Sequence, residues 1–328
     1  MIPDPFPTEG VDFYRGRRVV VTGATGLIGS YVVKLLKESG AWVRAIVYRR
    51  EPNEFTKLAD EIRAHDLSGA YEVDRAVRDS GIVLSCAVIT GGIGIVATDP
   101  LSYVGPATAI TINTLHAAAQ AGCARFGYLS STTVYPASEK PVVEGDELAG
   151  KPYSLYRGIG ESKRFLEKLC SYYHEKAAIA CAVVRPSGAY GRFDSFHEGT
   201  SHVIPGMVNR ALRTLAHEPF EVWGDGEDVR DFVHAQDVAM GLLLAVKTVS
   251  DASQFNIASG VGITTRVLAE HVLHAVGRES RIVTNPQKPS ALKVRLVSIE
   301  KARTLLGYRP TISLEAGLRD VVNWRASL

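Results

Sequence analysis

The sequence predicts an α/β chain, a doubly wound parallel sheet with a smaller lobe towards the C-terminus. Three observations lead there. Short apolar runs alternate with amphipathic, helix-length stretches from Val19 to Arg185, at the spacing of parallel-sheet crossovers. Gly23, Gly26 and Gly29 stand where the first apolar run gives way to the first amphipathic stretch. Beyond Pro186 the alternation loosens into a tract rich in glycine and proline before one further strand-helix-strand pattern.

Taken in order, the first strand starts at Val19 and breaks at Gly23, which is free to turn where a Cβ would resist. A helix over Leu27–Ser39 follows. Gly26 lets backbone approach a ligand and Gly29 lets the helix pack closely on the strand, so the free N–H groups at the helix start face an anion. That is a Rossmann-type site, and the expected occupant is a nicotinamide dinucleotide held at Gly23, Thr25, Gly26, Leu27, Ile28 and Gly29. The second strand, Trp42–Tyr48, runs into Arg49 and Arg50, where an acidic residue would have accepted the ribose hydroxyls of NAD. Two guanidiniums suit a 2′-phosphate instead, so NADP is expected, with NAD open if both arginines simply face solvent. Next come a strand over Ile62–Leu67, a helical segment to Asp79, an apolar strand Ile82–Val88 and a long helix Asp99–Gly122. A fifth strand, Phe126–Ser130, delivers the polar cluster Ser130, Ser131, Thr132 and Thr133 to a strand end, where binding residues gather. A loop (Tyr135–Pro152), a helix (Ile159–Lys176) and a sixth strand (Ile179–Arg185) follow, and Pro186 ends the strand.

Further on, Gly188, Gly191, Gly199, Pro205 and Gly206 surround a helix reaching Ala216, and Val222–Gly226 supplies a turn, as a substrate-covering lobe would. The strand Asp231–His234, the helix Gln236–Lys247 and the strand Gln254–Ile257 are expected to return to the sheet. The division is then 1–186 with 229–258 for the dinucleotide half, and 187–228 with 259–328 for the substrate lobe.

The bulk composition narrows the partners. Lysine and arginine number 37 against 35 acids, which gives no ground for a nucleic-acid partner. Cys86, Cys123, Cys170 and Cys181 are scattered without paired spacing, so neither a disulfide framework nor a metal site is expected, and a reducing compartment is. Ser80–Thr98 is uncharged but interrupted by Gly91, Gly92 and Gly94, which favours a buried strand and loop over a membrane span. Met1–Gly10 matches neither a signal nor a transit peptide, and the expected location is cytoplasmic.

Over nearly its whole length the sequence resembles the extended short-chain dehydrogenase/reductases, the family of nucleotide-sugar epimerases and dehydratases. The resemblance rests on Thr22-Gly-Ala-Thr-Gly-Leu-Ile-Gly29, Asp66-Leu67, Ser130-Ser-Thr-Thr-Val-Tyr135, Gly160-Glu-Ser-Lys163 with Glu167, Arg185-Pro186, and Arg230-Asp-Phe-Val-His234 with Asp237. Gly91-Gly-Ile-Gly94 ahead of Pro100 and Tyr103, and Asp194–Pro205, are most similar to the fucose-synthase branch. They point to a GDP-sugar, with Gly92 and His197 beside it.

The resemblance implies roles. Asp66, Leu67 and Pro186 would join the cofactor site, and Lys163 would bind the nicotinamide ribose while Ser131 and Thr133 hold the reacting oxygen. Arg230 would meet the sugar-nucleotide diphosphate, the plain alternative being a salt bridge to an acid such as Asp237. The long helices would form a homodimer. The family uses a Tyr-x-x-x-Lys pair for proton transfer, yet Ile159 occupies the tyrosine position, and Ala107 stands where asparagine is usual. Pairing Tyr153 with Arg157 instead lengthens the path to Arg185-Pro186 by six residues and loses the matches at Ser162, Lys163 and Glu167. Tyr156 is the nearest substitute, with a loop aromatic lining the pocket as its alternative role. His202 matches a histidine that acts as acid and base at carbon, against a structural hydrogen-bonding histidine. The expected function is therefore NAD(P)-dependent epimerisation of a nucleotide-sugar. Reduction or dehydration comes next, and a cofactor-bound sensor without catalysis stands as the answer of another class.

Overall fold

The computed structural model describes residues 11–88, 96, 99, 101–197, 201–215, 218–288 and 292–328. Its centre is a seven-stranded parallel sheet. The strands are β1 (Arg18–Thr22), β2 (Trp42–Val47), β3 (Glu61–Ala64), β4 (Ile82–Ser85), β5 (Arg125–Leu129), β6 (Ala180–Pro186) and a late strand, Asp251–Ile257. Strand β1 lies between β2 and β4, with Val19 opposite both Val43 and Ile82. The sequence therefore leaves β1 for one edge through β2 and β3, then returns through β4 to build the other, with Asp251–Ile257 outermost beside β6. Ligands of such sheets sit at the carboxyl ends where that reversal opens a crevice.

Both faces are covered, which is why these strands read as nearly unbroken apolar runs. Val19 and Val21 point to one face with Leu35 and Leu36 of α1 (Leu27–Glu38) and with Val238 and Leu242 of the helix Ala235–Thr248. Val20 and Val83 point to the other. There they join Val73 of α2 (Ala70–Val77), Leu115 of the helix Leu101–Gln120 and Leu166 of the helix Arg157–Ala177. A third apolar cluster lies off the sheet, built from Ile204, Val208, Phe220, Val222, Leu268, Val272, Leu318 and Val321.

The structure corrects several boundaries. The third strand ends at Ala64 and the fourth at Ser85, short of Leu67 and Val88, because ladder pairing to the neighbouring strands stops there. The single strand expected at Asp231–His234 is two, Val229–Asp231 and Val233–His234, and neither joins the central sheet. The first pairs with Gly262–Thr264 and Val294–Arg295, the second with Ala189–Tyr190; Asp251–Ile257 joins the sheet and the helix Ala235–Thr248 returns to pack on its face. Pro205 and Gly206 do not flank a helix but lie inside one, Val203–Arg213. Proline is tolerated in that first turn, where its missing N–H would have had no intrahelical partner. All four cysteines are free and buried. Among the described residues no helix is long and apolar enough to cross a membrane.

Candidate active site

The glycine turn is shaped for a close ligand. Gly23 has φ +62°, and a Cβ on it would stand 2.6 Å from Ala87 Cα. One on Gly29 would collide with the Gly23 carbonyl oxygen. Gly26 is the N-cap of α1 and brings no side-chain cap, so the first N–H groups after it, at Leu27 and Ile28, are left to an external acceptor beside Thr25. A dinucleotide pyrophosphate fits this cradle. Arg49 and Arg50 are exposed beyond the end of β2. Arg49 covers the Tyr48 ring at 4.9 Å, and Arg50 donates to the Phe193 carbonyl at 3.3 Å. Asp66 lies past the third strand rather than on it, where its carboxylate accepts from the Ser68 N–H at 2.9 Å and hydroxyl at 2.7 Å. Those bonds hold its pKa below the usual range. Leu67 beside it is buried, and Pro186 closes β6.

The helix Arg157–Ala177 carries two groups with different fates. Lys163 is 7% exposed; its Nζ donates to the Leu129 carbonyl at 3.2 Å and lies 3.4 Å from the Tyr128 hydroxyl. Burial pulls its pKa down to about 8, with Glu167 opposing. Ile159, one turn earlier, shares with Lys163 a cavity of about 230 Å³ that Ala107, Thr111 and Ser162 also line. An isoleucine there offers no proton. Glu167, by contrast, is bound into the frame. It accepts from Arg185 Nε at 2.9 Å and Nη2 at 2.5 Å, and from the Ser130 hydroxyl. Arg185 also meets Glu147 at 2.9 Å and donates to the Tyr135 oxygen at 2.8 Å, while Tyr135 donates to Asn256. The network ties β5, β6, this helix and the late strand together.

A second cavity, about 350 Å³, opens beside the short turn Thr132–Val134. Ser131 begins that turn, its oxygen accepting from the Thr133 N–H at 3.1 Å, and the buried Thr133 hydroxyl has no partner among the described residues. Tyr156 lines the same cavity. It ends the turn Ser154–Tyr156 and caps the helix from outside, so seven residues and two helical turns, about 10 Å, separate it from Lys163. The side chain against it is Arg295, which was not among the candidates. Its guanidinium lies 5.0 Å from the Tyr156 ring centre, and Nη2 donates to the Thr132 hydroxyl at 2.9 Å. Arg295 sits opposite Arg230 on paired parallel strands. Arg230 meets Asp228 at 3.3 Å and not Asp237, whose carboxylate is taken by the backbone of Thr311 and Ile312 and the Thr311 hydroxyl.

His202 caps the helix Val203–Arg213 from its N-terminal end, with Nδ1 3.1 Å from the Asp194 carboxylate. Burial lowers its pKa, but the Asp194 hydrogen bond and charge outweigh this and raise it; the ring is 41% exposed. It lines neither cavity. His197 is exposed on the same segment, and Gly92 lies outside the described residues. The segment starts from Phe193, a buried aromatic at φ +67° packed 5.2 Å from Phe55 and 5.3 Å from Trp324. Arg192 just before it pairs with Glu54 and Asp320. Among the described residues no cluster of three or more His, Cys, Asp or Glu could hold a metal ion.

Comparison with known proteins identifies the family and the fold. The model of the NAD dependent epimerase/dehydratase family matches residues 19–258. GDP-L-fucose synthase of Escherichia coli is 28% identical, over 94% of this chain and 96% of its own. A dTDP-4-dehydro-6-deoxy-D-allose reductase from Streptomyces is 29% identical, over 95% and 97%. Among solved structures, the UDP-glucose 4-epimerase of Thermotoga maritima with UDP-glucose superposes with a TM-score of 0.83 at 24% identity, over 94% of this chain and 99% of that one. The Thermus thermophilus enzyme of that name, in complex with NAD, gives 0.77 at 25%, over 95% and 100%.

Proposed function

The chain belongs to the NAD dependent epimerase/dehydratase family, and from that premise we propose that it epimerises a nucleotide-activated sugar by proton exchange at carbon. The observation that carries the proposal is the Asp194–His202 pair. A half-exposed imidazole braced by a carboxylate can take and return a proton near neutral pH, which Ile159 cannot do. A bound nicotinamide dinucleotide would supply the acceptor and donor of hydride needed to form and remove a transient ketone, next to which the sugar C–H is acidic enough for His202 to exchange. The chain's part is to hold that cofactor at the Gly23–Gly29 turn, to place its ribose with Lys163, and to bind the reacting oxygen with Ser131 and Thr133. Tyr156 stands ready at the second cavity as a proton donor, and Arg230 and His197 contact the substrate. Exposed Arg49 and Arg50 support NADP over NAD. The likeness of Asp194–Pro205 to the fucose-synthase branch supports a GDP-sugar. The proposal includes a cytoplasmic homodimer, with residues 1–186 and 229–258 serving the cofactor and the remainder covering the sugar.

Reduction is the second reading, favoured by the arginine pair and by the reductase among the relatives. Dehydration is served less well, since no carboxyl group is among the residues lining the cavity at Thr133 to act as acid or base for losing water. Turnover in D2O with a nucleotide-sugar panel, read by NMR, decides. Solvent deuterium at the inverted carbon, lost with activity in His202→Ala, is the expected result. Inversion without deuterium assigns the step to hydride removal and return and reduces His202 to a binding residue; no turnover on any sugar favours the sensor.

A further inference from the structure

Arg295 is a partly buried cation with no counter-ion among the described residues. Four arginines withdrawn from solvent are matched by acids, Arg44 by Glu61, Arg185 by Glu147 and Glu167, Arg192 by Glu54 and Asp320 and Arg230 by Asp228, while Arg125 is met by the backbone carbonyls of Val246 and Val249. Arg295 has the Thr132 hydroxyl and the Tyr156 ring, and none of the described carboxylates reaches it within ion-pair distance. Among the described residues, those lining its cavity bring hydroxyls and apolar groups and no acid. Burial draws its pKa down against the pull of Tyr156, as for a charge whose lost hydration is not repaid within the protein.

We propose that Arg295 receives a carboxylate carried by the sugar itself, so that the substrates are nucleotide-activated uronic acids. The inference rests on the nucleotide-sugar reading above and extends it to the class of sugar. The contacts of two neighbouring arginines separate this anion from the diphosphate. Arg230, across the strand pair, is the arginine assigned to the diphosphate. Arg295 turns to Thr132 and Tyr156, in the cavity that Thr133, one of the two residues assigned to the sugar, also lines. A guanidinium has five N–H donors in a planar fork that matches a carboxylate two-for-two, and the Thr132 bond uses one. The partnerless Thr133 hydroxyl in the same cavity gives a bound sugar a further polar contact.

The test is calorimetric titration of the full-length protein with two matched pairs, GDP-mannose with GDP-mannuronate and UDP-glucose with UDP-glucuronate, and with GDP and UDP alone. The uronate of at least one pair should bind about tenfold or more tightly than its neutral partner, the scale of one charge-assisted hydrogen bond. Arg295→Met should erase that advantage, and Arg295→Lys should keep part of it. Equal or weaker binding of both uronates overturns the inference while the nucleotide-sugar reading stands, as does an advantage that survives Arg295→Met. Failure of all six compounds to bind removes the nucleotide-sugar reading, and the uronate inference with it.

Discussion

Arg185 and Arg295 are the same residue under opposite arrangements. Arg185 is wholly buried, held by two carboxylates and the Tyr135 oxygen; Arg295 faces a cavity with a threonine hydroxyl and a tyrosine ring for company. Desolvating a guanidinium is costly in both places. At Arg185 the protein supplies the compensation, so the charge is part of the frame and is spent on fixing two sheet strands to a helix. At Arg295 the compensation is left to an outside group. Burial alone therefore does not separate a structural charge from a functional one; whether its counter-charge lies inside the chain does.

The contrast can be broken most directly at Glu167. Glu167→Gln leaves the wholly buried Arg185 with one of its two carboxylates, and should cost about 3–5 kcal/mol in urea unfolding. A loss below about 1 kcal/mol would show the network to be slack and would remove the distinction from Arg295.

Lys163 sharpens the comparison as a third case, a buried cation bonded only to neutral oxygens. Its folded-state pKa, about 8, lies below its ordinary 10.5, so between those values the unfolded chain binds more protons and stability rises with pH. The cofactor-free wild type should gain about 3 kcal/mol over that interval relative to Lys163→Met, with the variant the more stable partner at pH 7. Parallel pH curves for the two proteins would show that the ammonium is hydrated after all.

The smallest effect belongs to the pair whose imidazole is half-exposed. Because the His202 pKa is raised, its pairing with Asp194 stabilises fully below the ordinary value of 6.5 and fades as pH climbs through the folded value. With the ring 41% exposed, Asp194→Asn should cost under about 1 kcal/mol at pH 6 while moving the His202 titration, followed by proton NMR, to lower pH. An unmoved midpoint would deny Asp194 its bracing role.

What was legible in the sequence was local. The glycine turn declares itself because Gly23, Gly26 and Gly29 act within seven residues, and the sheet because buried parallel strands are apolar throughout. Glu167 and Arg185 were visible as motif matches, yet only coordinates show them bonded to each other across β6 and the helix. Arg295 left no signal: it lies on a two-residue strand, too short for any periodicity, and meets Thr132 across 163 positions. Arg230 was offered Asp237 as a plain partner, but Asp237 is consumed by backbone donors at Thr311 and Ile312, and the acid that serves, Asp228, is two residues away. Sequence spacing says which side chains share an element and says little about which ones a fold will bring together from different elements.

The backwards-turned backbone at Phe193 bears on how this protein can change over generations. An aromatic residue at φ +67° carries a penalty of about 1–2 kcal/mol that glycine would remove. Glycine would also empty the space between Phe55 and Trp324, and losing a buried Phe side chain costs about 3–5 kcal/mol. Any other large side chain inherits the backbone penalty. Single substitutions at Phe193 that give up the ring thus lower stability, and the stretch that carries Asp194 and His202 is anchored at its first residue.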